Sequence, residues 1–230
     1  DRRGCVPEGN EAGIRRVTVL RRKGERGKMR KIFYGGTFDP PHLGHIRLAE
    51  AVLKSGAGDE ILLAPAWIPP HKQNAALASF EDRMEMLRLA TEGMEHFSVS
   101  DVESRRGGVS YTIDTLHRLS TENPEDQFIL LIGSDSLAQL YSWFRVGELV
   151  FEYEVLTYPR PGFDVTMETL LEHWSPEWAG KLYSGILRGL PEYEISSSEI
   201  RERLRKGEPM EGILNRKVWE YIKQRSLYEH

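Results

Sequence analysis

The sequence predicts an α/β protein, a doubly wound, mostly parallel sheet with helices on both faces. Two observations indicate this class. Short apolar runs alternate along the chain with segments whose apolar residues recur at helical spacing. Glycines directly follow two of the apolar runs, at Gly35, Gly36 and Gly133. In such sheets ligands bind beyond the carboxyl ends of the strands, where glycine permits a close backbone approach.

Composition excludes several classes of protein. The 230 residues are 40% hydrophobic and 29% charged, which is ordinary for a globular chain of one large or two small domains. One cysteine, Cys5, cannot form an intramolecular disulfide and fits a reducing compartment, so a cytoplasmic location is expected. No apolar run approaches the roughly 18 residues of a membrane helix, so no membrane partner is expected.

Charge divides the chain into a basic leader and an acidic body. Residues 1–31 hold 11 Lys and Arg against 4 Asp and Glu, whereas residues 32–230 hold 20 against 31. Residues 1–28 show no apolar periodicity and match neither a secretory signal nor a transit peptide. They are expected to lie outside the fold, with residues 29–230 forming one domain. The acidic body also argues against a nucleic-acid partner.

The first two strand–helix units occupy residues 31–94. The run 31–34 predicts a strand that ends at a glycine pair, and apolar residues over 46–53 recur at helical spacing up to another glycine. A second strand, 61–64, ends at a proline. The helix that follows over 80–94 opens with two acidic residues, which favour a helix N-terminus.

The later units repeat the order of strand and helix. Alternating residues predict a strand over 97–102, before a helix over 113–119 that Ser110 is expected to cap. The most apolar strand, 128–132, stops at Gly133. The remaining elements are expected as a strand at 155–158 and helices at 167–174, 198–206 and 215–225.

Residues 35–45, Gly-Gly-Thr-Phe-Asp-Pro-Pro-His-Leu-Gly-His, form the segment called here the glycine–histidine loop. A helix N-terminus behind a glycine loop attracts phosphate. His42 and His45 are three residues apart and so share a face of the first helical turn, with Gly44 expected to leave room for an anion between them. Two imidazole N–H donors therefore predict a polyphosphate ligand. Zinc is disfavoured, since it usually takes at least three protein ligands and no partner stands at a suggestive spacing.

Further motifs follow in the order Ile68-Pro69-Pro70-His71-Lys72, Ser110-Tyr111-Thr112-Ile113-Asp114-Thr115, Ile132-Gly133-Ser134-Asp135 and Ile195-Ser196-Ser197-Ser198-Glu199-Ile200-Arg201. Ser196 and Glu199 have capping-box spacing, which places Arg201 in the first turns of a helix as an anion clamp. Lys72, behind a rigid proline turn, offers a point charge to phosphate. Together with the glycine–histidine loop, these motifs resemble the bacterial nicotinate-nucleotide adenylyltransferases, within the nucleotidyltransferase superfamily whose loop ends in His-x-Gly-His.

The resemblance implies transfer of the adenylyl group of ATP to nicotinate mononucleotide, giving deamido-NAD and pyrophosphate in NAD biosynthesis. It implies a Rossmann-like nucleotidyltransferase fold, ATP and nicotinate mononucleotide as partners, and Mg²⁺ held mainly by ATP phosphates rather than by protein ligands. His45 is expected to act on the α-phosphate and His42, Lys72 and Arg201 on the triphosphate. The oligomeric state stays open.

The resemblance also assigns binding residues. Asp135 is the expected ribose partner, Thr112 offers backbone contact to the nicotinate carboxylate, and Trp143 stacks on the pyridine ring. Gln139 departs from relatives that carry an aromatic residue there, which predicts a less enclosed pyridine pocket. Lys72, Thr112 and Trp143 are expected at nicotinate mononucleotide, and the ATP set is Gly35, Gly36, Thr37, Phe38, His42, His45, Gly133, Asp135, Ser196, Ser197, Ser198 and Arg201.

Three alternatives stay open from the sequence. Another adenylyltransferase of the superfamily would use nicotinamide mononucleotide or phosphopantetheine as acceptor. A non-catalytic nucleotide sensor would keep the glycines but lose a histidine or the distal arginine, and neither is missing here. A class I aminoacyl-tRNA synthetase has a related signature but normally needs a longer chain and a basic RNA surface.

Overall fold

The structure is a computed structural model that describes residues 28–69 and 77–229. All but the last residue of the predicted leader lies outside these residues. Five strands form one sheet: β1 Met29–Gly36, β2 Glu60–Pro65, β3 Phe97–Val99, β4 Asp126–Gly133 and β5 Glu154–Tyr158. Their order is β3-β2-β1-β4-β5 and every neighbouring pair is parallel. The chain thus winds outward in both directions from β1, which confirms the predicted fold class.

Ten α-helices connect and flank the strands in the described part of the chain. They are α1 Leu43–Lys54, α2 Phe80–Thr91, α3 Val102–Arg106, α4 Thr112–Glu122, α5 Ser134–Leu137, α6 Val146–Glu152, α7 Met167–Leu171, α8 Pro176–Ser184, α9 Ser197–Arg205 and α10 Arg216–Gln224. A short 3₁₀ helix spans Leu140–Ser142. No helix among the described residues is both long and apolar enough to span a membrane.

Two buried clusters of side chains cover the two faces of the sheet. Because successive strand residues point to opposite faces, Ile32 of β1 joins one cluster and Phe33 joins the other. The first cluster packs against α1, α2, α9 and α10. The second packs against α4, α6, α7 and α8. Helices therefore cover both faces, as predicted.

Local hydrogen bonds change two of the predicted boundaries. The strand predicted over 97–102 ends at Val99, because Ser100 Oγ accepts from the Val102 N–H at 3.2 Å and turns the chain into α3. Ser110 does not cap α4, whose N-cap is Tyr111. The Ser110 hydroxyl instead accepts from the Trp67 N–H at 2.9 Å, which joins the segments that follow β2 and β3.

Candidate active site

The glycine–histidine loop leaves the carboxyl end of β1 and ends in the first turn of α1. Gly36 accepts from the Ala66 N–H at 2.8 Å through its carbonyl, which aligns the loop with the end of β2. Phe38 has a left-handed backbone, φ 50°, and its ring is 2% exposed. That ring packs edge-on against Tyr34 and His45, with centroids 5.5 and 5.1 Å apart. The Phe38 side chain thus belongs to the core, and only its main chain can face ATP.

His42 and His45 stand together at the start of α1. Their rings stack with centroids 3.6 Å apart and an interplanar angle of 28°. The prediction that the two share a face is therefore confirmed. A Cβ on Gly44 would lie 2.9 Å from His42 Nδ1, so this glycine makes room for the histidine ring. The expectation of an anion between the rings is wrong, because the rings contact each other, and an anion must approach from their edges.

One hydrogen bond defines which nitrogen of His45 is a donor. His45 Nδ1 accepts from the main-chain N–H of His42, the N-cap residue of α1, at 3.2 Å. In the neutral ring the proton therefore sits on Nε2, which makes Nε2–H a donor with its direction fixed by the helix. His42 Nδ1 is buried and has no partner among the described residues.

Burial keeps both rings neutral. Desolvation, with a smaller contribution from the Arg160 charge, lowers the pKa of His42 to about 4. Desolvation also lowers the pKa of His45 well below its usual value, with further contributions from His42 and Arg160. At neutral pH the pair offers N–H donors rather than fixed charges, and among the described residues arginine supplies the positive charge beside it.

Arg201 reaches the loop from the first turns of α9. Its Nη1 donates to the main-chain carbonyl of Asp39 at 2.6 Å and lies 3.7 Å from the Asp39 carboxylate. Its Nη2 donates to Ser198 Oγ at 3.3 Å. The structure therefore brings Arg201 to the glycine–histidine loop. A second helix, α9, thus places a positive charge beside the loop that leads into α1.

The serines before Arg201 fasten α9 in place. Ser196 is the N-cap, and its hydroxyl accepts from the Glu199 N–H at 3.2 Å and donates to the Glu199 carboxylate at 2.8 Å. Ser197 donates to the carbonyl of Pro40 at 3.0 Å, a contact across 157 residues of sequence. Ser196 and Ser197 therefore stabilise the start of α9 and its contact with the loop. Contact of these serines with ATP stays a prediction.

Asp135 follows Gly133 at the carboxyl end of β4, as the sequence motif predicts. Its Oδ2 accepts from Arg160 at 3.0 Å, whereas Oδ1 is buried without a partner among the described residues. A Cβ on Gly133 would lie 2.3 Å from Asp135 Oδ1 and 2.8 Å from Arg160 Cδ, so only glycine leaves space for this pair. Any ribose bound by Asp135 must share that carboxylate with Arg160.

Sequence reasoning missed two arginines. Arg160 stands in a Pro-Arg-Pro-Gly turn directly after β5, and a turn at that edge of the sheet is itself a signal for a ligand residue. Arg83 is 2% exposed in α2 and donates to the carbonyls of Thr37, Ala66 and Ala78 at 2.8–3.2 Å. The sequence could have indicated Arg83, because it is a charged residue on the apolar face of a predicted helix. A charged side chain at such a position is usually buried with hydrogen-bond partners.

A cavity of about 470 Å³ lies beyond the end of β5, and neither Asp135 nor Arg160 is among its lining residues. Ser134, Pro159, Phe163 and Arg188 are among its lining residues, and the two histidines are not. The volume falls within the range of about 300–1,000 Å³ that small-molecule pockets occupy. The cavity therefore offers space near Ser134, the residue before Asp135, rather than at the Asp135 carboxylate itself.

The residues predicted to hold nicotinate mononucleotide lie on segments that contact one another. Thr112 is the first residue of α4, and the Tyr111 ring before it lies 4.3 Å from that of Phe144, the neighbour of Trp143. Trp143 is half-buried and packs against the core cluster under α4 and α6. Gln139 is exposed. His71 and Lys72 lie outside the described residues, and their predicted roles stay predictions.

Known proteins similar to this chain agree with the predicted family and fold. A cytidylyltransferase-like family model matches residues 33–203. The nicotinate-nucleotide adenylyltransferase of Bacillus subtilis (strain 168) is 38% identical over 202 residues, which are 87% of this chain and all of that protein. A relative from Geobacillus thermodenitrificans is 38% identical over 195 residues, 85% of this chain and 84% of its own length.

A solved structure has the same fold. The Plasmodium falciparum nicotinic acid mononucleotide adenylyltransferase complexed with NaAD superposes with a TM-score of 0.70 at 22% identity, over 87% of this chain and 98% of that one. At this identity the superposition supports the fold alone. The sequence relatives match 85–87% of this chain. The predicted membership is confirmed, and the chain belongs to the nicotinate-nucleotide adenylyltransferase family.

Proposed function

We propose that this protein transfers the adenylyl group of ATP to nicotinate mononucleotide, giving deamido-NAD and pyrophosphate. The observation that carries the proposal is the pair of stacked, neutral histidines in the glycine–histidine loop, with Arg201 against the same loop. This arrangement offers oriented N–H donors and a cation to a polyphosphate. Family membership supports the reaction and its acceptor.

The chemistry needs no protein nucleophile. A phosphate oxygen of nicotinate mononucleotide attacks the α-phosphorus of ATP, a new P–O bond forms, and the bond to the β-phosphate breaks as pyrophosphate leaves. Such transfer depends on positioning and on stabilising charge at the phosphate oxygens. His45 Nε2–H, oriented by its Nδ1 bond to the His42 main chain, is the donor we assign to the α-phosphate.

The departing pyrophosphate needs cations and donors beside the loop. We assign this role to His42 and Arg201, with Lys72 as a further point charge. Arg160 also fits, because its charge already acts on both histidines and one salt bridge to Asp135 holds it.

In this proposal the adenosine and nicotinate ends of deamido-NAD bind at two different places along the carboxyl edge of the sheet. We assign the adenosine side to Gly133 and Asp135, where a ribose hydroxyl would supply the partner that Asp135 Oδ1 lacks once the carboxylate turns. The nicotinate side lies at Thr112 and Trp143, where main-chain N–H groups at the start of α4 can meet a carboxylate.

Mg²⁺ is expected to enter on ATP. The two carboxylates assigned to the site each already face an arginine: Asp39 is 1% exposed and lies 3.7 Å from Arg201, and Asp135 is paired with Arg160. These residues fit a cation that phosphate oxygens hold with few protein ligands. When bound, Mg²⁺ would supply neutralisation of triphosphate charge, while the histidines and arginines stabilise the charge that is left.

The test is pyrophosphate release from ATP and Mg²⁺ with purified protein, with nicotinate mononucleotide and nicotinamide mononucleotide offered separately. We expect kcat/KM to favour the acid by at least about tenfold, or roughly 1.4 kcal/mol. Equal use of both acceptors would keep the reaction and contradict the assigned specificity. Release with neither acceptor would contradict the proposed function and redirect the search to phosphopantetheine or to a nucleotide sensor.

A further inference from the structure

Asp39 lies inside the glycine–histidine loop as a buried carboxylate, 1% exposed. Its Oδ1 accepts two hydrogen bonds, from the Tyr228 hydroxyl at 2.6 Å and from the Ala78 N–H at 3.1 Å. Its Oδ2 has no hydrogen-bond partner among the described residues and lies 3.7 Å from Arg201 Nη1. Asp39 therefore sits between a tyrosine and the arginine that we assign to the triphosphate.

Tyr228 comes from the far end of the chain, 189 residues from Asp39 in sequence, and the end of α10 directs it to the loop. After the helix, the Leu227 N–H donates to the Ile222 carbonyl at 3.0 Å, and Ser226 and Tyr228 have left-handed backbones with φ 48° and 68°. A chain reversal of this kind closes a helix with fixed geometry. Burial and the neighbouring carboxylate raise the pKa of Tyr228 above its usual value, so the phenol is a neutral donor.

The geometry points to competition for the Asp39 carboxylate. With the tyrosine donor present, Oδ1 is satisfied by two bonds and Arg201 is held mainly through the Asp39 main-chain carbonyl at 2.6 Å. Without it, the buried carboxylate would keep only the Ala78 N–H as a hydrogen-bond donor, which is costly, and among the described residues the cation within 4 Å of it is Arg201. A small rotation would close the 3.7 Å gap and tie the guanidinium to Asp39.

We propose that Tyr228 is a positioning residue of the active site: its hydroxyl holds the Asp39 carboxylate off Arg201 and so keeps the guanidinium available to the triphosphate of ATP. The inference rests on the proposed function for the identity of the ligand. It adds a residue from the C-terminal segment that acts on ATP through Asp39 without touching ATP itself.

The test variant is Tyr228→Phe, which removes only the hydroxyl. We expect KM for ATP to rise about three- to tenfold, with a smaller fall in kcat and with KM for nicotinate mononucleotide unchanged, because only the triphosphate side loses a contact. A loss of packing alone would lower the thermal midpoint and change both KM values together or neither.

Tyr221→Phe is the matched control. Tyr221 lies on α10, seven residues before Tyr228, and donates to the Asp82 carboxylate of α2 at 2.8 Å, so it makes the same kind of bond without reaching the loop. We expect it to lower the thermal midpoint and to leave KM for ATP unchanged. Equal effects of the two variants on KM for ATP would overturn the proposal, as would a Tyr228→Phe value within twofold of the parent.

Direct binding separates this proposal from the proposed function. Calorimetry with ATP and Mg²⁺, without an acceptor, needs no turnover. If the parent protein binds ATP and Tyr228→Phe binds it at least threefold more weakly, the positioning role stands even if nicotinate mononucleotide is not the acceptor. Equal ATP affinity of the parent and Tyr228→Phe would reject the positioning role, whatever reaction the protein catalyses.

Discussion

At the scale of single residues, the site depends on two imidazoles that burial keeps uncharged. Neutral histidine donors suit a ligand that brings its own negative charge, since they add hydrogen bonds without a large desolvation cost. Arg201 and Arg160 supply the charge from outside the stacked pair. This division between oriented neutral donors and partly exposed cations could not be derived from the residue types alone.

The lowered histidine pKa values have a consequence for stability. The unfolded chain takes up protons near the ordinary histidine pKa of about 6.5, whereas folded His42 does so only at about 4. The stability gained by burying the neutral ring is complete above about pH 6.5 and is lost as pH falls toward 4. We expect His42→Asn, which keeps a good N-cap, to reduce that loss by up to about 3 kcal/mol.

The measurement is the free energy of unfolding in urea at several pH values between 4 and 7. His117→Asn is a suitable control, because that histidine is partly exposed and paired with Glu152 on the protein surface. Parallel curves for the parent and His42→Asn would show that burial does not lower the pKa of His42.

At the scale of elements, α2 supports the glycine–histidine loop through Arg83. This one side chain joins Thr37 in the loop, Ala66 after β2 and Ala78 before α2. Replacement by methionine would leave three main-chain carbonyls without a donor. We expect Arg83→Met to lower the free energy of unfolding by about 2–4 kcal/mol.

Urea unfolding of Arg83→Met and Arg88→Met checks this expectation. Arg88 is on the same helix, but its side chain is 60% exposed and contacts Glu85 only at 3.7 Å, so its loss should cost less than about 1 kcal/mol. A similar small cost at Arg83 would mean that water replaces the guanidinium beneath the loop.

Most helices with two or more turns of apolar periodicity could be predicted from the sequence, and most shorter ones could not. The exception is α7, which is predicted over 167–174 and observed over Met167–Leu171 only. The strands and α1, α2 and α4 lie close to their predicted positions, and α9 and α10 begin and end within one residue of the predicted 198–206 and 215–225. Helices α3, α5 and α6 have four to seven residues, too few for a periodic signal. Helix α8 is not among the predicted elements, although Ser175 followed by Pro176 is a typical start of a helix.

At the scale of the whole molecule, the sheet order explains why distant motifs meet. The central strand β1 lies between β2 and β4, so the glycine–histidine loop and the Gly133 turn share one edge of the sheet. The motif at 195–201 reaches this edge because α9 and α10 pack on the same face as α1 and α2. The alternation of strands and helices predicted this convergence in outline.

The partners at that edge could not be predicted from spacing. Tyr228 and Asp39 are 189 residues apart in the sequence. Arg160 and Asp135 are 25 residues apart and follow the ends of β5 and β4. Their contacts depend on where helices and turns finish in space. The sequence predicts that Gly44 leaves room for an anion, whereas in the structure Gly44 leaves room for the His42 ring.

The central claim is that His45 donates to the phosphate being transferred. Steady-state formation of deamido-NAD by the parent and by His45→Ala tests it most directly, with His173→Ala as a control at an exposed histidine. We expect His45→Ala to lower kcat at least tenfold, or about 1.4 kcal/mol, with a smaller change in KM for ATP. A kcat within a few fold of the parent would contradict the claim.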